Sequence, residues 1–136
     1  MMVRKTEHYA LPRASFQNDP KVLIVIAPYY KPIADNLLKG ATTEILASNG
    51  TFETVEVPGA LEIATAIGIA ERLEKFDAYV ALGCVIRGET THYETVCNDS
   101  SRGLTLLGLQ GLCICLLYTS DAADEGLGVD LGGRRI

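Results

Sequence analysis

The chain has 136 residues, a length typical of a single domain. Hydrophobic residues make up 48% and charged residues 21% of it, which argues against general disorder and predicts a buried core. The formal net charge of −5 argues against a surface that binds nucleic acid or an anionic membrane. The sequence contains neither an apolar run of roughly 18–20 residues nor the apolar stretch of a signal peptide, so we expect a cytoplasmic protein.

The first half of the chain predicts a polar arm followed by alternating strands and helices. Residues 1–20 show no sustained period and predict an extended or disordered arm. Residues 22–27 (VLIVIA) are typical of a strand that is buried on both faces of a parallel sheet. Helical spacing of apolar residues then runs from Ile33 to the stop signal at Asn49-Gly50. Residues 54–57 predict a second strand.

The same alternation continues to residue 114. A second helix is predicted from Ala60, with these side chains facing inward: Leu61, Ala64, Ile67, Ile69 and Leu73. Residues 78–82 predict a third strand, and the third helix that follows has its buried stripe at Tyr93, Val96, Cys97, Ser100 and Leu104. Residues 112–114 begin a fourth strand. Strands that alternate with helices predict an α/β domain, a three-layer α/β/α sandwich with a parallel sheet of the doubly wound type.

The pattern changes after Ile114. Residues 115–136 show neither an amphipathic period nor a clear element, and a glycine-rich acidic tail is one interpretation. Residues 115–125 (CLLYTSDAADE) and 129–136 (VDLGGRRI) also resemble one reading frame of a transposon-type sequencing adapter, which favours a non-native tail. We therefore predict a domain over residues 21–114 that is incomplete at its C-terminus. We expect a chain of this form not to assemble into an active oligomer.

Three loops are predicted to leave the carboxyl ends of the strands, which is the edge where open parallel sheets bind ligands. The first loop holds Tyr29 and Tyr30. The second covers residues 57–62 (VPGALE), and the third covers residues 83–92 (GCVIRGETTH). Because all three loops meet at one edge of the domain, their polar residues are predicted to share a site.

The third loop carries most of the candidate chemistry. Gly88 lets the backbone approach a ligand closely, and Thr90 precedes a helix whose exposed N–H groups favour an anion such as phosphate. Capping of that helix by Thr90 or Thr91 explains the same hydroxyls equally well. His92 suits proton transfer near neutral pH, and a surface histidine at a helix start is the alternative. The polar neighbours of His92, Glu89 among them, favour the first interpretation.

The other two loops offer a carboxylate and an aromatic ring. Glu62, at the start of the second helix, either interacts with the helix dipole or accepts hydrogen bonds from a polar ligand. Tyr29 either stacks on a planar ring or covers the edge of the sheet. The four cysteines form no C-x-x-C pair and match no zinc pattern, so we expect reduced, mostly buried thiols and no metal site.

Three segments closely resemble the lumazine synthase family: residues 57–63 (VPGALEI), 83–93 (GCVIRGETTHY) and 100–104 (SSRGL). The resemblance covers about residues 20–114. It implies a flavodoxin-like fold and a transferase of riboflavin biosynthesis with small-molecule substrates and no cofactor. The implied reaction condenses 5-amino-6-(D-ribitylamino)uracil with 3,4-dihydroxy-2-butanone 4-phosphate to 6,7-dimethyl-8-ribityllumazine.

The resemblance also implies a role for each matching position. The positions that match the site of the uracil ring and its ribityl chain are Tyr29, Ala60, Leu61, Glu62, Cys84, Val85 and Ile86. Those that match the phosphate side are Glu89 and Thr90, and His92 matches the proposed proton donor or acceptor. For the full-length protein the resemblance implies a homopentamer or a larger assembly with active sites between subunits. A non-catalytic member that binds lumazine or flavin, or that only forms a shell, is the alternative.

Overall fold

The computed structural model of the chain describes residues 11–88 and 91–119. Residues 11–20 of the predicted arm form neither a helix nor a strand. Arg13 in this segment donates two hydrogen bonds to the Glu44 carboxylate, with Nε–Oε2 at 2.8 Å and Nη2–Oε1 at 3.0 Å. The rest of the arm, the predicted phosphate-side residues Glu89 and Thr90, and most of the predicted tail lie outside the described residues.

The described part of the chain alternates strands and helices throughout. Its elements are β1 (Lys21–Ile26), α1 (Lys31–Ala47), β2 (Thr51–Glu56), a 3-10 turn (Ala60–Glu62), α2 (Ile63–Leu73), β3 (Ala78–Cys84), α3 (His92–Leu109) and β4 (Ile114–Thr119). The strands form one parallel sheet in the order β2-β1-β3-β4, which is how flavodoxin-like sheets begin. The predicted α/β class with a parallel sheet is therefore confirmed.

Strand β1 lies in the middle of the sheet and is buried on both faces, as its apolar run predicts. Leu23 and Val25 pack into the cluster formed with α2 and α3. Val22, Ile24 and Ile26 point the other way and pack against α1. This alternation follows from the two-residue period of a strand, and it produces the three layers of the sandwich.

Helix α2 faces the core differently from the prediction. Ile63 and Ile67 are its fully buried apolar residues, whereas Ile69 is 46% and Leu73 is 80% exposed. The prediction that Ile69 and Leu73 face inward is therefore wrong. Ile69 lies two residues beyond the buried Ile67, which is about 200° around a helix of 3.6 residues per turn. Leu61, also predicted to face inward, lies in the 3-10 turn and is 40% exposed.

Strand β4 continues past the predicted end of the regular pattern at Ile114. Its pairing with β3 runs from Ile114 opposite Tyr79 to Thr119 opposite Cys84. The side chain of Leu116 packs against the cluster formed with α2 and α3. The expectation of no clear element beyond Ile114 is therefore wrong for residues 115–119. The apolar run that starts at Ile114 has the composition of a strand, and pairing with β3 satisfies its backbone. The domain boundary and the origin of the remaining tail stay predictions.

The strand order creates a crevice at one edge of the sheet. The chain leaves β1 over one face, through α1, to reach β2, and it leaves β3 over the other face, through α3, to reach β4. The connections after β1 and β3 therefore diverge at the carboxyl ends of two adjacent strands, which is where ligands bind in open α/β sheets. None of the helices within residues 11–88 and 91–119 has the length and apolar content needed to cross a membrane.

Candidate active site

A cavity of about 410 Å³ opens at this crevice. Its lining residues are Tyr29, Tyr30, Pro58, Gly59, Ala60, Leu61, Glu62, Cys84, Val85, Ile86, His92 and Val96. Eight of the ten residues singled out in the sequence thus line one cavity, and the two others, Glu89 and Thr90, lie outside the described residues. The cavity is formed by all three predicted loops and the first turns of α3.

The first loop places a pair of aromatic rings at the cavity. The side chain of Tyr29 is 73% exposed, and its ring meets the ring of Tyr30 edge to face, with centroids 4.8 Å apart and an angle of 84° between the planes. The carbonyl oxygen of Tyr30 accepts a hydrogen bond from the N–H of Ala34 at 2.9 Å, the first such bond of helix α1. The beginning of α1 therefore fixes the backbone of Tyr30.

The second loop brings the Glu62 carboxylate to the cavity. The N–H of Val57 donates to the Ile26 carbonyl at 2.9 Å, which continues the pairing of β1 and β2 up to the loop. The N–H of Glu62 donates to the Gly59 carbonyl at 3.1 Å, and a Cβ atom at Gly59 would lie 3.1 Å from Oε1 of Glu62. The carboxylate therefore lies close over Gly59, and a side chain at that position would displace it.

The third loop starts from the end of β3 and presents backbone and apolar groups. Cys84 is the last residue of β3, Val85 is buried in the core, and Ile86 is partly exposed at the cavity. Burial raises the pKa of the Cys84 thiol, so it stays protonated at neutral pH. A protonated thiol is a poor nucleophile, which leaves Cys84 as part of the cavity wall.

Arg87 joins the third loop to the first turn of α3. Its Nη1 donates to Oε2 of Glu94, and its guanidinium lies over the ring of Tyr93, 4.3 Å from the centroid. The Glu94 carboxylate accepts a hydrogen bond from the backbone N–H of Glu94 and another from the Arg87 side chain. Both lower the pKa of Glu94, so the carboxylate stays ionised near neutral pH. These contacts hold the helix turn that begins with His92, which lines the cavity.

Four lining residues were not assigned to the site from the sequence: Tyr30, Pro58, Gly59 and Val96. The first three lie in the predicted loops, next to residues that were assigned. Val96 was assigned to the buried stripe of α3, and it is 7% exposed and lines the cavity as well. His92 and Val96 are four residues apart and so lie on one face of the helix. This spacing could have indicated that Val96 also lines the cavity.

A larger cavity of about 620 Å³ lies at the opposite edge of the sheet. It is lined by the segment around Phe16 and by the beginnings of β1 and β3, including Val22 and Ala78. None of the predicted substrate-binding residues that the structure describes lines it. Because open parallel sheets bind ligands at the carboxyl ends of their strands, we assign the candidate site to the smaller cavity.

The described cysteines are free thiols with two different surroundings. Cys84 and Cys97 are half-buried, but Cys113 and Cys115 are exposed, so the prediction of mostly buried thiols is wrong for these two. They alternate with Ile114 and Leu116, which pack toward α2 and α3, and therefore project from the other face of the sheet. No group of three or more His, Cys, Asp or Glu residues within the described part of the chain is arranged to hold a metal ion.

Comparison with known proteins identifies the family. The model of the 6,7-dimethyl-8-ribityllumazine synthase family matches residues 19–125. Three proteins of that name, from Jannaschia sp. (strain CCS1), Bartonella tribocorum and Sphingopyxis alaskensis, are 54%, 55% and 53% identical to the chain over 115, 86 and 93 residues. These matches cover 82%, 62% and 68% of the chain, and the chain spans 65%, 57% and 66% of the respective relatives. The chain belongs to the 6,7-dimethyl-8-ribityllumazine synthase family.

Proposed function

We propose that the chain takes part in riboflavin biosynthesis as a lumazine synthase. The proposed reaction joins 5-amino-6-(D-ribitylamino)uracil and 3,4-dihydroxy-2-butanone 4-phosphate and gives 6,7-dimethyl-8-ribityllumazine, phosphate and water. The observation that carries the proposal is the convergence of eight predicted site residues on one cavity of about 410 Å³. That volume is in the range of small-molecule sites, roughly 300–1,000 Å³.

The pyrimidine substrate is proposed to bind between the first and third loops. The exposed ring of Tyr29 supplies a flat surface for the uracil ring. Backbone groups of Cys84, Val85 and Ile86 border the same space and can pair with the polar edge of that ring. The Glu62 carboxylate, together with the turn at Ala60 and Leu61, can accept hydrogen bonds from the ribityl hydroxyls.

The phosphate of the second substrate is proposed to bind at the beginning of α3, beside Glu89 and Thr90. Helix α3 has 18 residues and begins at His92. The dipole of the helix favours an anion at that end. This arrangement would bring the phosphate-bearing substrate next to the pyrimidine and gain the rate advantage of proximity.

His92 is proposed to transfer protons in the condensation. The amine of the pyrimidine attacks the ketone, a Schiff base forms with loss of water, phosphate leaves, and the ring closes with loss of a second water. Each step moves a proton to or from nitrogen or oxygen, which suits an imidazole at near-neutral pH. The position of His92 in the cavity wall, at the end proposed for phosphate, supports this role.

Substitution of Thr90 tests the phosphate site. We expect Thr90→Val to weaken binding of the four-carbon phosphate several-fold and to leave the affinity for the pyrimidine nearly unchanged, because the lost hydroxyl precedes the anion-binding end of α3. The measurement is calorimetric titration with each substrate separately. Thr95→Val, an exposed residue of the same helix, is the control and should leave both affinities unchanged. An equal loss of affinity for both substrates would contradict the assignment.

The direct test of the proposed function is product formation. The full-length protein is mixed with both substrates, and the appearance of the lumazine chromophore is followed together with the release of inorganic phosphate. We expect one phosphate for each lumazine formed and no phosphate when the pyrimidine is left out. Binding of the lumazine product without turnover would replace the proposal with a non-catalytic, lumazine-binding role.

We further propose that the full-length protein is a cytoplasmic homo-oligomer. Exposed apolar pairs on two helices support an assembly: Ile69 and Leu73 on α2, and Leu106 and Leu109 on α3. The spacing of four and three residues puts each pair on one stripe of its helix. We expect Leu73→Gln with Leu109→Gln to shift the mass of the full-length protein toward the monomer in light scattering. A full-length protein that is monomeric without these changes would contradict the proposal.

A further inference from the structure

The ring of Tyr29 contacts the ring of Tyr30. With 73% of its surface exposed, Tyr29 is not held by packing in the core. The edge-to-face contact with Tyr30, at 4.8 Å between centroids and 84° between planes, is in the favourable geometry for an aromatic pair. Such a contact limits the orientations that an otherwise exposed ring can adopt.

The contact leaves Tyr29 free to stack on a ligand. In an edge-to-face pair, either the edge of Tyr30 meets one face of Tyr29, or the edge of Tyr29 meets a face of Tyr30. In both arrangements at least one face of Tyr29 stays open. Both tyrosines line the same cavity, so that open face is available to a planar ring bound there.

The backbone of Tyr30 is tied to the beginning of helix α1. It is the residue before helix α1, and its carbonyl oxygen accepts the hydrogen bond from the N–H of Ala34 at 2.9 Å. Pro32, within the first turn, favours the start of the helix at this point. The side chain of Tyr30 is also partly buried. The support for Tyr29 therefore comes from the scaffold of the domain.

We infer that Tyr30 is a positioning residue that holds the ring of Tyr29 in the orientation that stacks on the pyrimidine substrate. The inference rests on the proposed function, since it takes the pyrimidine as the planar ligand. Fixing the ring before binding removes the entropy cost of ordering it when the ligand arrives. Tyr30 acts through Tyr29, so its effect on pyrimidine affinity depends on the presence of the Tyr29 ring.

The test is calorimetric titration of the full chain with the pyrimidine substrate, in a double-mutant cycle of Tyr29→Ala and Tyr30→Ala. We expect Tyr30→Ala to weaken pyrimidine binding roughly three- to tenfold, which is the scale of one aromatic pair. Tyr30→Phe keeps the ring and should stay within about twofold of the parent chain. In the Tyr29→Ala background, Tyr30→Ala should have less than about a twofold further effect. Binding of the four-carbon phosphate should not change in any of these variants.

Two results would overturn the inference. Unchanged pyrimidine affinity in Tyr30→Ala would show that Tyr29 needs no support. An equal loss with and without the Tyr29 ring would show that Tyr30 contacts the ligand directly or acts on the fold as a whole. If Tyr30→Ala unfolds, Tyr30→Leu keeps apolar bulk without a ring and is expected to give the same loss. The parent chain tests the proposed function itself. If the parent chain does not bind the pyrimidine, both proposals are overturned.

Discussion

Replacement of His92 by alanine in the full-length protein is expected to lower the turnover number for lumazine formation by about 10- to 10³-fold, within or slightly below the usual range for a general acid–base group. The effect on substrate binding should be smaller. His92 begins α3 and lines the candidate cavity, at the end where the phosphate is proposed to bind. Alanine removes the imidazole and leaves the loops that form the binding surfaces in place.

The measurement is steady-state turnover between about pH 6 and pH 8, the range in which an imidazole changes its charge. Asn98→Ala, an exposed position of α3 that does not line the cavity, serves as the control and should keep the parent turnover. If turnover of His92→Ala equals that of the parent across this range, His92 has no role in proton transfer. Thermal unfolding of both variants separates this effect from loss of the fold.

Gly103→Ala is expected to destabilise the domain by about 1–3 kcal/mol, the usual cost of overpacking a well-packed contact. Gly103 lies where α3 crosses α2, and a Cβ atom there would come within 2.9 Å of the Cβ of Ala64. Two carbon atoms cannot approach so closely, so the helices must separate. Because α2 follows directly from the turn at Ala60–Glu62, the separation should also weaken pyrimidine binding.

Gly40→Ala provides a matched control for this prediction. Gly40 lies inside α1, as Gly103 lies inside α3, but a Cβ atom at Gly40 would meet no described atom outside its own stretch of helix within 4 Å. The higher helix propensity of alanine should therefore stabilise the domain by about 0.5–1 kcal/mol. Urea unfolding of the two variants measures the difference. Equal stabilisation in both would show that α2 and α3 do not pack tightly at Gly103.

The fold class and the location of the site could be predicted because their signals are local. The apolar run of β1 predicts a strand buried on both faces, and the structure confirms it. The segments at residues 57–62 and 83–92 each follow a predicted strand. A parallel sheet brings such segments to one edge, which is how Glu62 and His92, 30 positions apart in the sequence, come to line one cavity.

The prediction failed where tertiary packing decides between equivalent patterns. Helix α2 is apolar on more than one side, so its sequence did not distinguish the stripe of Ile63 and Ile67 from that of Ile69 and Leu73. Residues 115–119 were assigned to the tail because they show no amphipathic period and because residues 115–125 resemble a sequencing adapter. Pairing with β3 makes them a strand, and such pairing is a non-local contact that a local pattern does not reveal.

We expect the cavity at the carboxyl ends of the strands, and not the larger cavity at the opposite edge, to bind the pyrimidine. The most direct test uses two variants, each of which fills one of the two cavities. Each variant is titrated calorimetrically with 5-amino-6-(D-ribitylamino)uracil. Leu61→Trp places an indole at the smaller cavity and Ser15→Trp places one at the larger, and both residues are exposed in the parent chain. We predict that Leu61→Trp weakens binding by more than about tenfold, which corresponds to roughly 1.4 kcal/mol. Ser15→Trp should bind like the parent, and loss of binding in Ser15→Trp with full binding in Leu61→Trp would contradict the account.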